Sequence, residues 1–452
     1  MTYDFQDTIC ALATPQGIGA IGVIRVSGSE TFSIVNQLFK GKNLLEQPSH
    51  TIHFGTLRDG DDIVDEVLVS LFKGPRSYTR EDVIELSCHG SDFIIRRILK
   101  LLLKNGCRMA KPGEFTQRAF LNGQMDLTQA EAVADLIASD SEATHRSAIN
   151  QIRGGFSRQL AQLREKLVHF ASMIELELDF AEEDVEFASR ADLTKLVLDI
   201  QRVVLPLIES FDYGNAIKNG IPTVIVGKPN AGKSTLLNCL LNEEKAIVSE
   251  IAGTTRDVIE DELIIEGIRF RLIDTAGLRK AEDKIEAIGV ERTHQQIEKA
   301  DLIIYLFDAS TTSEAHLEEV KKQYEEMGKK YLLVGNKTDL LTSSNHTDSE
   351  VFFISAAQNQ GINELKSQLV KMVSIHRNLQ ADTVITNLRH YEHLVKTNES
   401  LEAVLRGVEN QITSDWLAFD LRQALNHLGE ITGTITTDDL LANIFSKFCI
   451  GK

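Results

Sequence analysis

Apolar residues recur along this chain with two periods, and the places where the period changes divide it. In the N-terminal part, residues 19–27, 64–72 and 82–87 read as strands, and residues 93–103 repeat their apolar positions on a helical period until Asn105-Gly106 stops them. Residues 1 to about 118 therefore predict a small sheet carrying helices. Arg25, Glu85 and His89 stand among apolar neighbours there, and each reads as an edge-strand or outward-facing side chain.

From about residue 121 the helical period takes over. Thr128-x-x-Glu131 predicts a capping box, with Leu127, Ala130, Ala134 and Ile137 on one face. Phe156, Leu160, Leu163, Leu167, Phe170 and Ile174, spaced alternately by four and three, predict the seam of a helical bundle. Leu193, Leu196, Ile200, Val203 and Leu207 predict another helix, ending or kinking near Pro206. The acidic stretch 175–186 reads as a solvated face, with metal binding as the alternative. Strand-like runs then appear at 223–226, 269–273, 302–307, 331–334 and 351–354, alternating with helical stretches such as 288–298 and 313–326. That alternation predicts a doubly wound α/β unit. Helices return with Leu388, Tyr391 and Leu394, then Leu401, Leu405 and Val408, then Leu421, Leu425 and Leu428. Helical stretches on both sides of a compact α/β unit predict its insertion into one discontinuous all-α domain.

Composition narrows the class. At 452 residues the chain exceeds one ordinary core, and about three domains are expected. Its 42% hydrophobic and 25% charged content is that of a soluble globular protein. The start, Met1-Thr2-Tyr3-Asp4, is unlike a signal peptide, and no apolar run approaches membrane-spanning length, so a cytoplasmic protein without membrane contact is expected. Cys10, Cys88, Cys107, Cys239 and Cys449 have neither disulfide-framework nor zinc spacing. The net charge of −18 disfavours nonspecific binding to nucleic acid and leaves any such contact to a local patch.

The chemistry begins at residues 227–234, which read G-x-x-x-x-G-K-S between an apolar strand and a helix. This is a phosphate loop: backbone N–H groups from Asn230 to Thr235, including Ala231 and Gly232, turn on a polyphosphate. Lys233 reaches its β- and γ-phosphates, and Ser234 ligates Mg²⁺. Asp274-Thr275-Ala276-Gly277 ends a strand, placing Asp274 in the Mg²⁺ shell and the Gly277 N–H at the γ-phosphate. Asn336-Lys337-Thr338-Asp339 follows another strand, where the Asp339 carboxylate can accept from guanine N1–H and N2–H, donors that adenine lacks. Ser355-Ala356-Ala357 completes the base pocket. Residues 253–257 supply a switch loop with Thr254 and Thr255, the latter a Mg²⁺ ligand. In this order, each at a strand end, these motifs predict a Ras-like P-loop GTPase domain with GTP as substrate. Leu278 occupies the position after Asp-Thr-Ala-Gly where small GTPases carry a water-orienting Gln. Another polar group must serve, and the charged segment 279–286 is nearest.

With these motifs, with Pro112-Gly113-Glu114-Phe115 and Arg118-Ala119-Phe120-Leu121-Asn122, and with the C-terminal Phe448-Cys449-Ile450-Gly451-Lys452, the whole chain resembles the tRNA-modification GTPase MnmE (TrmE) family. The resemblance implies a folate-binding and dimerising domain over residues 1–118, a helical domain in two parts (119–215 and 376–452) and a G domain over 216–375. It implies K⁺-stimulated hydrolysis as G domains meet across a homodimer, with Asn230, Ser249, Ile251 and Thr254 as K⁺ ligands. Glu286 would orient water, completing a catalytic set with Lys233 and Thr255. The family's contacts to a 5-formyl- or 5,10-methylene-tetrahydrofolate map to Arg25, Glu85, Gln124 and Lys452, with Gln124 standing where the family has lysine. That departure removes a charge that would neutralise a glutamyl carboxylate. Cys449 is open to either a nucleophilic or a packing role. The implied activity is modification of tRNA wobble uridine at C5 with an FAD-dependent MnmG partner, in a heterotetramer. The alternative is a GTP-binding switch that recruits partners without modification chemistry.

Overall fold

The computed structural model describes residues 7–179, 189–242, 261–273, 295–341, 350–373 and 384–451. Its elements begin with β1 (Ile9–Leu12), β2 (Ile21–Ser27), α1 (Thr31–Leu38), β3 (Phe39–Lys40), β4 (Thr51–Asp59), β5 (Asp62–Phe72), β6 (Val83–His89), α2 (Asp92–Lys104) and β7 (Arg108–Met109). These form a seven-stranded sheet in the order β3-β4-β5-β6-β2-β1-β7. Alternation puts Ile24 and Val26 of β2, Val67 and Val69 of β5, and Ile84 and Leu86 of β6 into one core with α1 and α2. The other face is only partly covered: Phe115 packs with Ile9, Ala11 and Ala110 at the β1 end, whereas Ile52, Phe54 and Leu68 stay exposed at the β4–β5 end. Both β2 and β6 are interior strands, so Arg25 and Glu85 are outward-facing residues and the edge-strand reading is set aside.

Helices follow: α3 (Glu114–Leu121), α4 (Leu127–Ala138), α5 (Glu142–Ile152), α6 (Gly155–Asp179) and α7 (Arg190–Glu209). The cap of α4 lies two residues earlier than the expected Thr128-x-x-Glu131. Asp126 Oδ1 accepts from the Gln129 N–H at 2.9 Å, and Gln129 Oε1 accepts from the Asp126 N–H at 3.0 Å, a reciprocal box. Thr128 is instead inside the helix, buried and bonded to Asp126 and Ser157. Along α6, Phe156, Leu160, Leu163, Leu167 and Ile174 are buried as the seam requires. The buried stripe of α7 is Leu193, Val197, Ile200, Val204 and Leu207, so Val197 and Val204 take the places expected for Leu196 and Val203. Pro206 does not end α7, which runs on to Glu209. Ser210 N–H donates to the Pro206 carbonyl, so the proline's own acceptor still serves the last turn.

The second architecture comprises α8 (Phe211–Asn219), β8 (Ile221–Val226), α9 (Lys233–Asn242), β9 (Asp261–Ile265), β10 (Ile268–Leu272), β11 (Leu302–Asp308), α10 (Glu314–Glu326), β12 (Lys330–Asn336), β13 (Val351–Phe353) and α11 (Ile362–Val373). Its six-stranded sheet runs β13-β12-β11-β8-β10-β9, all parallel except β9. Strands β8 and β11 are almost wholly buried, as central strands of a two-sided α/β sheet must be. The chain closes with α12 (Leu388–Glu409), α13 (Ser414–Thr432) and α14 (Asp438–Ser446). Helix α13 packs along α6, and Leu441, Phe445 and Phe448 join Leu127 and Ala130 in a small core. Two compact units result, one of residues 1–138, 148–200 and 396–452, the other of residues 139–147 and 201–395. Among the described residues no helix is long and apolar enough to cross a membrane.

Candidate functional site

The carboxyl ends of β8, β11, β12 and β13 converge, the place where open parallel sheets bind ligands. From β8 the chain turns through residues 227–232 into α9, whose Leu236, Leu237 and Leu240 are fully buried and fix the helix start against the sheet. The turn needs its glycines. Gly227 has φ +149°, and a Cβ there would lie 1.9 Å from the Leu306 carbonyl oxygen; Gly232 has φ +97°, and its Cβ would lie 2.2 Å from Asn336 Nδ2. Asn230, also left-handed at φ +64°, is exposed at the tip. The Lys233 ammonium folds back over the loop, donating to the carbonyls of Gly227 at 2.6 Å and Lys228 at 3.0 Å. Burial, which penalises the charged form, lowers its pKa. Ser234 is half-buried and Thr235 exposed in the first turn of α9.

Asn336 joins this loop to the base side. It is buried, its Nδ2 donates to the Ala231 carbonyl at 2.8 Å, and its Oδ1 accepts from the Ala356 N–H at 2.9 Å. Ser355, fully buried, donates its hydroxyl to Asp339 Oδ1 at 2.6 Å. The Asp339 carboxylate is exposed and keeps lone pairs free for a base edge. Ala357 is exposed beside it, and Lys337 pairs with Asp308. Sequence reading missed Asp308; the signal available was an aspartate closing a buried apolar strand. The structure thus brings together Asn230 to Thr235, Asn336, Lys337, Asp339 and Ser355 to Ala357. Ser249, Ile251, Thr254, Thr255, Asp274, Gly277, Leu278 and Glu286 lie outside the described residues.

A second cluster sits on the seven-stranded sheet. Arg25 and Glu85 are direct partners in the β2–β6 register, with Arg25 Nε to Glu85 Oε1 at 2.9 Å. The Arg25 guanidinium lies 5.0 Å from the centre of the Tyr78 ring and 5.6 Å from that of Phe115, and Nη1 donates to the Gly451 carbonyl at 3.3 Å. Tyr78 hydrogen-bonds Thr116 at 2.8 Å, and burial pushes its phenol pKa up. The C-terminal tail therefore reaches Arg25, one residue short of Lys452, which lies outside the described residues. Gln124 is exposed just past the C-terminal end of α3, where its N–H donates to the Ala119 carbonyl at 2.8 Å. Cys449 is exposed, and its carbonyl accepts from the Gly113 N–H at 3.4 Å. Tyr78, Phe115 and Gly451 were not anticipated as neighbours of Arg25, since they come from three separate segments.

The chain is similar to known proteins over nearly its whole length. Residues 8–124 match the family model described as the GTP-binding protein TrmE N-terminus, and residues 127–449 match that of the MnmE helical domain. A protein of Cytophaga hutchinsonii named tRNA modification GTPase MnmE is 60% identical over 451 residues, covering 99% of this chain and 98% of its own. Proteins of the same name from Flavobacterium psychrophilum and Bacteroides fragilis are each 52% identical, covering 99% of this chain and 100% of their own.

Proposed function

The chain belongs to the MnmE family of tRNA-modification GTPases, and on that premise we propose that it hydrolyses GTP to drive modification of tRNA wobble uridine at C5, giving aminomethyl or carboxymethylaminomethyl uridine. The observation that carries the reading is Asn336, whose side chain ties the phosphate loop at Ala231 to the base-side segment at Ala356, an arrangement that supports one nucleotide site across the two. Residues 216–375 are assigned to hydrolysis, 119–215 and 376–452 to the helical domain, and 1–118 to folate binding and dimerisation.

Within the pocket, Lys233 leaves its loop carbonyls for the β/γ-phosphate oxygens, and the N–H groups around Gly232 and the start of α9 face the same charge. Ser234 and Thr255 would hold Mg²⁺, and Asp274 its shell. Asn230, Ser249, Ile251 and Thr254 would hold K⁺, which supplies positive charge to the developing transition state where other GTPases use an arginine finger. Glu286 takes over the water-orienting task that Leu278 cannot perform. These assignments predict faster GTP turnover by the full chain in KCl than in NaCl; equal rates in the two salts would remove potassium from the mechanism.

On the seven-stranded sheet, Arg25 offers a fixed guanidinium and Glu85 a carboxylate beside two aromatic rings, a donor and acceptor set suited to a folate's pterin and carboxylates. A tetrahydrofolate bound there would supply the one-carbon unit, with Lys452 and the uncharged Gln124 as further contacts. Titration of 5-formyl-tetrahydrofolate into the full chain should give binding that Arg25→Ala abolishes; undetectable binding to the wild type would favour the plain switch. The uncovered sheet face with exposed Ile52 and Phe54 supports a homodimer. An FAD-dependent MnmG-type partner, in a heterotetramer, and tRNA complete the assembly, in the cytoplasm.

A further inference from the structure

Beside the guanine-reading turn lies a carboxylate to which the mechanism above gives no task. Asp308 closes β11, opposite Asn336 of β12 in the strand register. Its Oδ1 accepts from the Ser310 N–H at 2.9 Å and from the Ser310 hydroxyl at 2.6 Å, which fixes the plane of the carboxylate. Its Oδ2 accepts from Lys337 Nζ at 2.7 Å, in a pair whose side chains are 19% and 31% exposed. Burial alone would raise the Asp308 pKa, but Lys337 and Ser310 outweigh it and hold the carboxyl below its ordinary value.

Lys337 has its backbone in the left-handed region, φ +67°, at the start of the short turn Thr338–Leu340 that also carries Asp339. The lysine stem is therefore held at both ends, by the turn at its Cα and by Asp308 at its Nζ. A free lysine loses rotamer freedom when a ligand packs on its methylenes; here that loss has been taken at folding. An extended apolar stem next to an edge-reading carboxylate suits the face of a planar base.

We propose that Asp308 is a positioning residue for the nucleotide, holding the Lys337 stem as the surface on which the base lies while Asp339 reads its edge. This rests on the reading of the pocket as a guanine-nucleotide site. Because the effect acts on the ring face, it strengthens binding of related purine nucleotides alike and does not discriminate their exocyclic groups.

Isothermal titration of GDP, IDP and ADP into the full chain with Mg²⁺ tests the role, using wild type, Asp308→Asn, Lys337→Met and the double variant, with thermal melts of each nucleotide-free protein. Asp308→Asn should weaken GDP by up to about tenfold, the scale of ordering one rotamer-rich side chain on binding. IDP should weaken by the same factor, leaving the GDP-to-IDP ratio and the melting temperature near wild type. Lys337→Met keeps an apolar stem that needs no ion pair, so adding Asp308→Asn to it should cost nothing further. Wild-type GDP affinity in Asp308→Asn, a changed GDP-to-IDP ratio, or additive losses in the double variant would overturn the role of Asp308 alone. A wild-type chain that bound ADP as tightly as GDP would overturn the guanine reading and the role of Asp308 together.

Discussion

Asn336 concentrates more of the nucleotide pocket's geometry than any other described residue. It is buried, and both ends of its amide are committed to backbone groups of other segments, Ala231 and Ala356. Asn336→Ala strands a carbonyl and an N–H, each costing about 1–3 kcal/mol if left unpaired. Urea denaturation should show that loss, and GDP titration should show weakened binding; a variant with unchanged stability and affinity would refute the bridging role. The motif Asn-Lys-x-Asp was legible in sequence because spacing alone carries it. What spacing could not give was the partner of each atom, since Ala231 and Ala356 lie 105 and 20 residues from Asn336. Arg25 is the same lesson: its strand was readable, but Tyr78, Phe115 and Gly451 converge on it only through tertiary packing.

At the scale of elements, α3 is held by an ionic cluster. Arg118, 1% exposed, pairs with Asp7, with Glu81 at 3.1 Å and with Glu114 at 3.1 Å, while Arg108 pairs with Glu114 at 2.6 Å. Burial would raise the pKa of Asp7 and Glu114, but the two arginines overcome it and hold both below their ordinary values of 3.8 and 4.5. Carboxylates depressed in the folded state contribute stability that is complete above their unfolded pKa and is lost as pH falls through the folded one. Thermal melts should therefore be flat above about pH 5 and fall progressively below about pH 4. Arg118→Met leaves Glu114 buried beside a weakened counter-charge and should cost about 3–5 kcal/mol, with a flatter acid limb. An unchanged melting temperature would show the cluster to be incidental. Element types were legible wherever the period was clean, as in α6 and β11. Strand β4 was not, because its apolar Ile52 and Phe54 point to the open face while His53 and Gly55 face the core, which inverts the expected pattern. The cap of α4 was misplaced because Asp126-x-x-Gln129 and Thr128-x-x-Glu131 are near-equivalent as text, and only the bonds distinguish them.

For the whole molecule, the proposed homodimer would meet on the sheet face bearing Ile52, Phe54 and Leu68. Replacing Phe54, which is 65% exposed, by Glu puts a charge on that face without disturbing the core behind it. Sedimentation of Phe54→Glu should give a monomer, and an unchanged dimer would move the contact elsewhere. The insertion of an α/β unit between helical stretches was legible from the order of periodicities, since each period reports its own architecture. The bond that links loop and base segment was not.

The central claim is that GTP turnover in this pocket drives tRNA modification, and nucleoside mass spectrometry of tRNA tests it most directly. In cells lacking the chain, C5-aminomethyl-type wobble uridines should be absent, restored by the wild-type chain and not by Lys233→Ala. Modified uridine persisting without the chain, or restored in full by Lys233→Ala, would contradict it.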